Sequence, residues 1–111
     1  MQQRQAALSH KQTLTIANGQ TTSNAMSIDR FRDFGLAMPG AFTGTAITFL
    51  VSHDGATYQP LYNESNNAVS VTVAADRFYQ LPAALRAWPW FKIVSGSSEG
   101  AARELVVVAK S

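Results

Sequence analysis

Apolar and polar residues alternate along most of this chain in short segments. Successive side chains of a strand point to opposite faces, so a period of two indicates strands with one buried face. The longest such segment places Ile47, Phe49 and Val51 on one face, and a later one does the same with valines. The pattern predicts eight or nine strands, near residues 13–17, 25–28, 34–38, 45–51, 57–59, 69–73, 78–81, 90–94 and 104–109.

Turn-forming residues separate these segments. Asn18-Gly19, Pro39-Gly40 and Asp54-Gly55 each follow an alternating run, and Asp-Gly between two strands is a strong hairpin signal. Pro60 limits its strand to the edge of a sheet or to a bulge. Only residues 82–87 predict a helical turn, with Pro82 at its start. The sequence therefore predicts an all-β fold, an antiparallel β-sandwich of jelly-roll type.

The two ends of the chain depart from simple alternation. In the last strand, Leu105 and Val107 face one side while Val106 and Val108 face the other, so we expect both faces to be covered. Residues 1–11 are mostly polar, and we expect them to form an extended N-terminal arm. The arm has a small apolar centre and flanking charges, so it is predicted to bind a neighbouring subunit through Arg4, Leu8 and Lys11. Residues 12–111 then form a single sandwich domain.

Composition narrows the possible functions. The chain has 111 residues, enough for one domain, and only 14% of them are charged, well below the usual quarter. Large neutral surfaces favour a subunit that packs against other subunits, with a soluble monomer as the alternative. The net charge of +2 is spread along the chain, which argues against nucleic-acid binding. We expect no secretory signal and no membrane-spanning segment, because no long apolar run is present.

The sequence offers little chemistry for catalysis. Ser52, His53 and Asp54 are the side chains of a hydrolase triad, but adjacent strand residues point to opposite faces, so we interpret them as a strand end and a turn. His10 and His53 lack metal-ligand spacing, and there is no cysteine. Turn carboxylates leave a structural calcium as a minor alternative, without the alternating acidic pattern of calcium loops. We predict no enzyme activity, no cofactor and no metal.

Aromatic residues near strand ends are the remaining candidates for a binding role. Tyr58, Tyr62, Trp88 and Trp90 lie at strand ends or in loops. Rings in such positions stack on sugars or anchor protein interfaces. The alternative is that Trp88 or Trp90 closes one end of the sandwich, because large aromatic residues are highly buried on average.

The order of the motifs resembles a group of small structural proteins of tailed bacteriophages that are similar to capsid cement, or decoration, proteins. The resemblance extends over roughly residues 12–109 and rests on strand and turn motifs. These are Ala37-Met38-Pro39, Gly44 to Phe49, Ser52 to Gly55, Tyr58 to Tyr62, Val69 to Val71, Tyr79 to Pro82 and Trp90 to Gly96.

The resemblance implies a non-enzymatic virion protein that binds the major capsid protein on the outer surface of the assembled head. It also implies synthesis in the cytoplasm of a bacterial host and self-association, with a trimer favoured. The stretch Ser52 to Tyr58 also resembles a hairpin of carbohydrate-binding sandwiches. The alternative is therefore a glycan-binding or adhesin-like module of a phage particle or tail.

Overall fold

Nine strands and one short 3₁₀ helix make up the computed structural model, which describes residues 9–28 and 31–110. The 3₁₀ helix Ala83–Ala87 is the predicted helical turn, and Pro82 precedes it. The strands are β1 Ser9–Ile16, β2 Met26–Ser27, β3 Asp33–Ala37, β4 Ala46–Ser52, β5 Gln59–Pro60, β6 Ser70–Thr72, β7 Phe78–Gln80, β8 Trp90–Ser95 and β9 Arg103–Lys110.

The strands form two antiparallel sheets. The first sheet has the order β1-β9-β3-β7, and the second has the order β2-β8-β4-β5, with β6 also paired to β4. Consecutive strands thus alternate between the sheets along most of the chain, which is the strand order of a jelly roll. The predicted all-β jelly-roll-like sandwich is confirmed.

The core lies between the two sheets and is formed by the inward positions of the alternating strands. Phe91 of β8 lies at its centre, with ring centroids 6.5 Å from Phe34 of the first sheet and 6.3 Å from Phe49. Leu14, Leu105 and other inward aliphatic residues are fully buried around them. This interdigitation of two inner faces is what holds a sandwich together, since little else in a chain of this size buries apolar area.

The first strand begins earlier than the sequence pattern indicates. β1 starts at Ser9 and pairs with β9 from Ser9↔Lys110 to Ile16↔Arg103, whereas the alternation suggested a start at Gln12. Backbone pairing does not need an apolar side chain, so the polar residues 9–11 join the sheet. Residues 1–8 of the predicted arm, with Arg4 and Leu8, lie outside the described residues.

Two connections between strands bear on the sites described below. The hairpin between β4 and β5 is present, with Leu50 opposite Pro60 at the sheet edge, but its loop spans residues 53–58 and includes Thr57 and Tyr58. In the connection between β8 and β9, Ser95 and Glu99 are buried, whereas residues 96–98 between them are exposed.

Candidate functional site

The outer side of the first sheet carries a continuous apolar surface. Strand register places Val106 beside Ala37 and Ala37 beside Phe78, so the three side chains form one row. Val108 and Gly35 form the next row. These five residues are named the apolar face here.

All residues that line this surface belong to the four strands of the sheet, and they enclose a groove of about 390 Å³. Phe78 is 87% exposed, the most exposed of the large hydrophobic residues in the described ranges. Val106 and Val108 are half-buried, so the expectation that both faces of β9 are covered is met only on the inner side. Exposed apolar surface of this kind marks interaction sites in monomeric proteins.

Charged residues flank the apolar face at both ends of β9. The outward positions of this strand are Glu104, Val106, Val108 and Lys110, since Leu105, Val107 and Ala109 point into the core. Lys11, one of the predicted partner-binding residues, pairs with Val108 and lines the groove. Its aliphatic stem adds apolar area while its ammonium group stays in water.

The outer side of the second sheet is arranged differently, because the chain's own loop covers its largest ring. Gly55 lies against Trp90, and a Cβ added to Gly55 would approach the indole to 3.2 Å. Gly55 also has a φ of +79°, which glycine adopts without steric cost. Trp90 is therefore half-buried beneath the loop of residues 53–58.

This covering loop is held by a network around Asp54. One carboxylate oxygen accepts hydrogen bonds from the backbone N–H groups of Thr57 and Ala56, at 2.9 and 2.8 Å, and from the Ser52 hydroxyl at 2.9 Å. The Ser52 oxygen in turn accepts the N–H groups of Asp54 and Gly55. These bonds, with that from Thr57 the strongest influence, lower the pKa of Asp54 to about 2. The interpretation of Ser52, His53 and Asp54 as a turn is confirmed.

The four aromatic candidates do not form a single cluster. Tyr58 lies beside Lys92, whose Nζ is 4.3 Å from the ring centroid. Trp90 lies under the loop, so both belong to the outer side of the second sheet. Tyr62 and Trp88 instead line a separate pocket.

This pocket, with a volume of about 390 Å³, lies where β4 ends and β5 begins. Tyr62 is 52% exposed, whereas Trp88 is half-buried and also packs against the core. His53, Thr57 and Gln59 add polar side chains to the lining. We call it the Tyr62–Trp88 pocket.

A buried carboxylate is the feature that the sequence pattern missed. Glu99 is 1% exposed, and burial by itself raises its pKa. Its carboxylate accepts hydrogen bonds from the Thr43 backbone N–H and hydroxyl, from Arg103 and from the Gly44 N–H. These bonds outweigh the effect of burial and lower the pKa of Glu99. The four bonds are 2.9–3.1 Å long. The partners from the loop before β4 are 55 and 56 residues away in the chain, so no local signal reveals them. Glu99 thereby joins that loop to the turn before β9.

Residues 9–28 and 31–110 lack two other kinds of site. No three His, Asp or Glu side chains converge there in a group able to hold a metal ion. Within the same ranges, no helix is long and apolar enough to cross a membrane.

Comparison with known proteins gives relatives in structure only. No family model matches the chain, and no curated protein sequence does. The SPBc2 prophage-derived protein YomS has a similar structure, with a TM-score of 0.57 and 14% identity over 94% of this chain and 96% of that one. A structure from Bacillus endospore appendages, a family of disulfide-linked pili, gives 0.47 with 12% identity over 97% and 89%, a score too low to support an inference. The similarity to YomS shows a shared fold.

Proposed function

We propose that this protein is a non-enzymatic structural protein of a bacteriophage particle, a cement protein that binds the assembled head shell. The observation that carries the proposal is the apolar face, where Phe78 projects from the sheet and half-buried valines surround it. A contiguous exposed apolar surface favours a subunit of an assembly, which covers it, over an isolated protein. YomS, which shares the fold, is prophage-derived, so the fold occurs in proteins encoded by prophages.

Cementing follows from mass action. A protein that binds the assembled shell but not the free capsid subunits shifts the equilibrium toward the shell, by an amount that grows with occupancy. No bond is made or broken, so the mechanism requires only complementary surfaces. The motif resemblance supplies the proposed partner, the major capsid protein.

The N-terminal arm is the proposed contact with that partner, through Arg4, Leu8 and Lys11. Lys11 lies in β1 at the edge of the groove, so its side chain is available for such a contact beside the apolar face. Fixing each residue of an arm costs about 1–2 kcal/mol of conformational free energy, which contacts with the neighbour must exceed.

The test uses particles of the phage that encodes the chain, with the gene deleted and then restored. Deleted particles should release DNA at a lower temperature than restored particles, and mass spectrometry should find the chain at stoichiometric levels only in the latter. Restoration with a chain lacking residues 1–8 keeps β1 whole, whereas removal of residues 1–11 takes away three paired residues. Equal heat resistance of deleted and restored particles would exclude a cementing role.

The Tyr62–Trp88 pocket supports a second candidate function, a glycan-binding module. An exposed tyrosine and a tryptophan line it together with His53, Thr57 and Gln59, a combination that suits the apolar faces and hydroxyl groups of a sugar. Its volume also lies in the range of small-ligand sites. A glycan array tests this directly: Tyr62→Ala should abolish any selective binding, and the matched Tyr58→Ala, outside the pocket, should not. Absence of binding by the native chain would exclude it.

A further inference from the structure

The outward residues of β9 are ordered so that the strand matches a copy of itself that runs in the opposite direction. From one end to the other they are Glu104, Val106, Val108 and Lys110: an acid, two valines and a base. A copy of the strand running in the opposite direction presents a base, two valines and an acid. A two-fold interface requires a surface that is complementary to itself in this sense.

We propose that the apolar face binds a second copy of this chain, sheet against sheet, with the two β9 strands antiparallel. This dimer rests on the structural role proposed above, names the occupant of the surface and replaces the trimer that the resemblance implies. Val106 of each copy then packs on Val108 of the other, and Glu104 lies opposite Lys110 of the second copy at both ends. Opposed sheets pack about 10 Å apart, so apolar side chains fill the centre while the charges stay at the solvated rim.

The register of the other strands agrees with this arrangement. The row that contains Val106 ends in Phe78, and the row that contains Val108 ends in Gln80. Reversal places the Phe78 ring over Gln80 of the second copy, near Gly35, where the absence of a side chain leaves room. The ring that is most exposed in the single chain is thereby covered.

A second two-fold arrangement exists in principle, with the axis along the strands. It would place Lys110 opposite Asp33 of the second copy. Asp33 already forms an ion pair with Arg86, whose Nη2 is 3.3 Å from its carboxylate oxygen. Neither Glu104 nor Lys110 forms an ion pair with another described residue. Both side chains are therefore available for the ion pairs of the antiparallel arrangement.

The size of the surface sets the expected affinity. Four strands and six residue steps of β9 form a face of roughly 15 by 20 Å. Two such faces bury roughly 600 Å² in total, which is below the range of stable specific interfaces and corresponds to weak or transient association. We therefore expect a dissociation constant on the order of 0.1 mM in solution, so self-association must be measured up to millimolar concentration.

The experiment is sedimentation equilibrium of the full chain with charge-reversed variants. The native chain should reach a dimer mass at high concentration. Glu104→Lys and Lys110→Glu should each weaken dimerisation by about tenfold, because two symmetry-related attractions become repulsions. The double variant should recover native affinity, since it exchanges the two charges without changing their pairing.

A second pair of variants separates the surface from general effects on folding. Val106→Lys should abolish the dimer, whereas Val94→Lys, a half-buried outward valine of the second sheet, should leave it intact. Circular dichroism confirms that each variant is folded.

A native chain that stays monomeric at millimolar concentration, or forms a trimer, overturns the two-fold interface. A double variant weaker than both single variants overturns the antiparallel register. Either result leaves the proposed cementing role intact if particles without the chain still lose heat resistance. Failure of the dimer can therefore be distinguished from failure of the cementing role.

Discussion

The outer sides of the two sheets differ in whether the chain itself covers an outward aromatic ring. Each carries a large aromatic ring, Trp90 on the second sheet and Phe78 on the first. Trp90 lies beneath a loop that a fixed hydrogen-bond network holds against it, whereas Phe78 is 87% exposed. The chain therefore has a means of covering an aromatic residue and uses it on one side only. The uncovered side is where an external partner gains most from binding.

The largest expected effect is the loss of stability on replacing Glu99, which connects segments of the two sheets. Glu99 connects the loop before β4 of the second sheet to the turn before β9 of the first. Glu99→Ala removes a buried carboxylate and leaves Arg103, its partner at 2.9 Å, without a counter-charge. We expect a loss of about 3–5 kcal/mol in the free energy of unfolding, measured by urea denaturation. Glu64→Ala, an exposed acid in a turn, is the control and should change stability by less than about 0.5 kcal/mol.

Truncation of each ring separates the covered side of the sandwich from the open side. Trp90→Ala removes a ring that the protein covers, and it should lower the free energy of unfolding by about 2–3 kcal/mol. Phe78→Ala removes a ring that water already surrounds, and below the concentration of self-association it should cost less than about 0.5 kcal/mol. Equal losses in thermal or urea denaturation would show that the first sheet buries Phe78 after all.

Alternation of apolar residues was enough to predict the sandwich, because burial in a sheet acts on every second residue of a local segment. Ile47, Phe49 and Val51 are buried as that pattern requires. Strand β1 extends to Ser9 because backbone hydrogen bonds form without an apolar side chain.

The candidate surfaces were less predictable, because they depend on contacts between distant segments. The run from Leu105 to Val108 indicated that β9 is apolar on both sides, but not that one side would remain open. Phe78 gave no signal of its own, since its exposure follows from its place on an edge strand. The four aromatic candidates all lie near strand ends in the sequence, but the fold places Tyr58 and Trp90 at one location and Tyr62 and Trp88 at another.

A smaller effect is expected at Gly55, in the loop that covers Trp90. Gly55 and Gly19 both have positive φ angles, +79° and +77°, but only Gly55 has the indole as a neighbour; nothing lies within 4 Å of a Cβ added to Gly19. Each change to alanine should cost about 1–2 kcal/mol from backbone strain. Gly55→Ala should cost more, because its methyl group also displaces Trp90. If the two losses in a denaturation experiment are the same, the loop does not pack tightly on the ring.

The smallest effect is a pH dependence of the loop that covers Trp90. The folded pKa of Asp54 is lowered from an ordinary value of 3.8 to about 2, so its carboxylate strengthens the turn fully above pH 3.8 and loses this effect as the pH falls through about 2. The Ala56 and Thr57 amide protons, which the carboxylate binds, should therefore stay protected from solvent exchange at pH 3 and lose protection toward pH 2. Asp54→Asn has no charge to titrate, so protection of these amides in the variant should not change over that interval. A transition of the native loop near pH 4, followed by NMR, would mean that the carboxylate is not held as the geometry indicates.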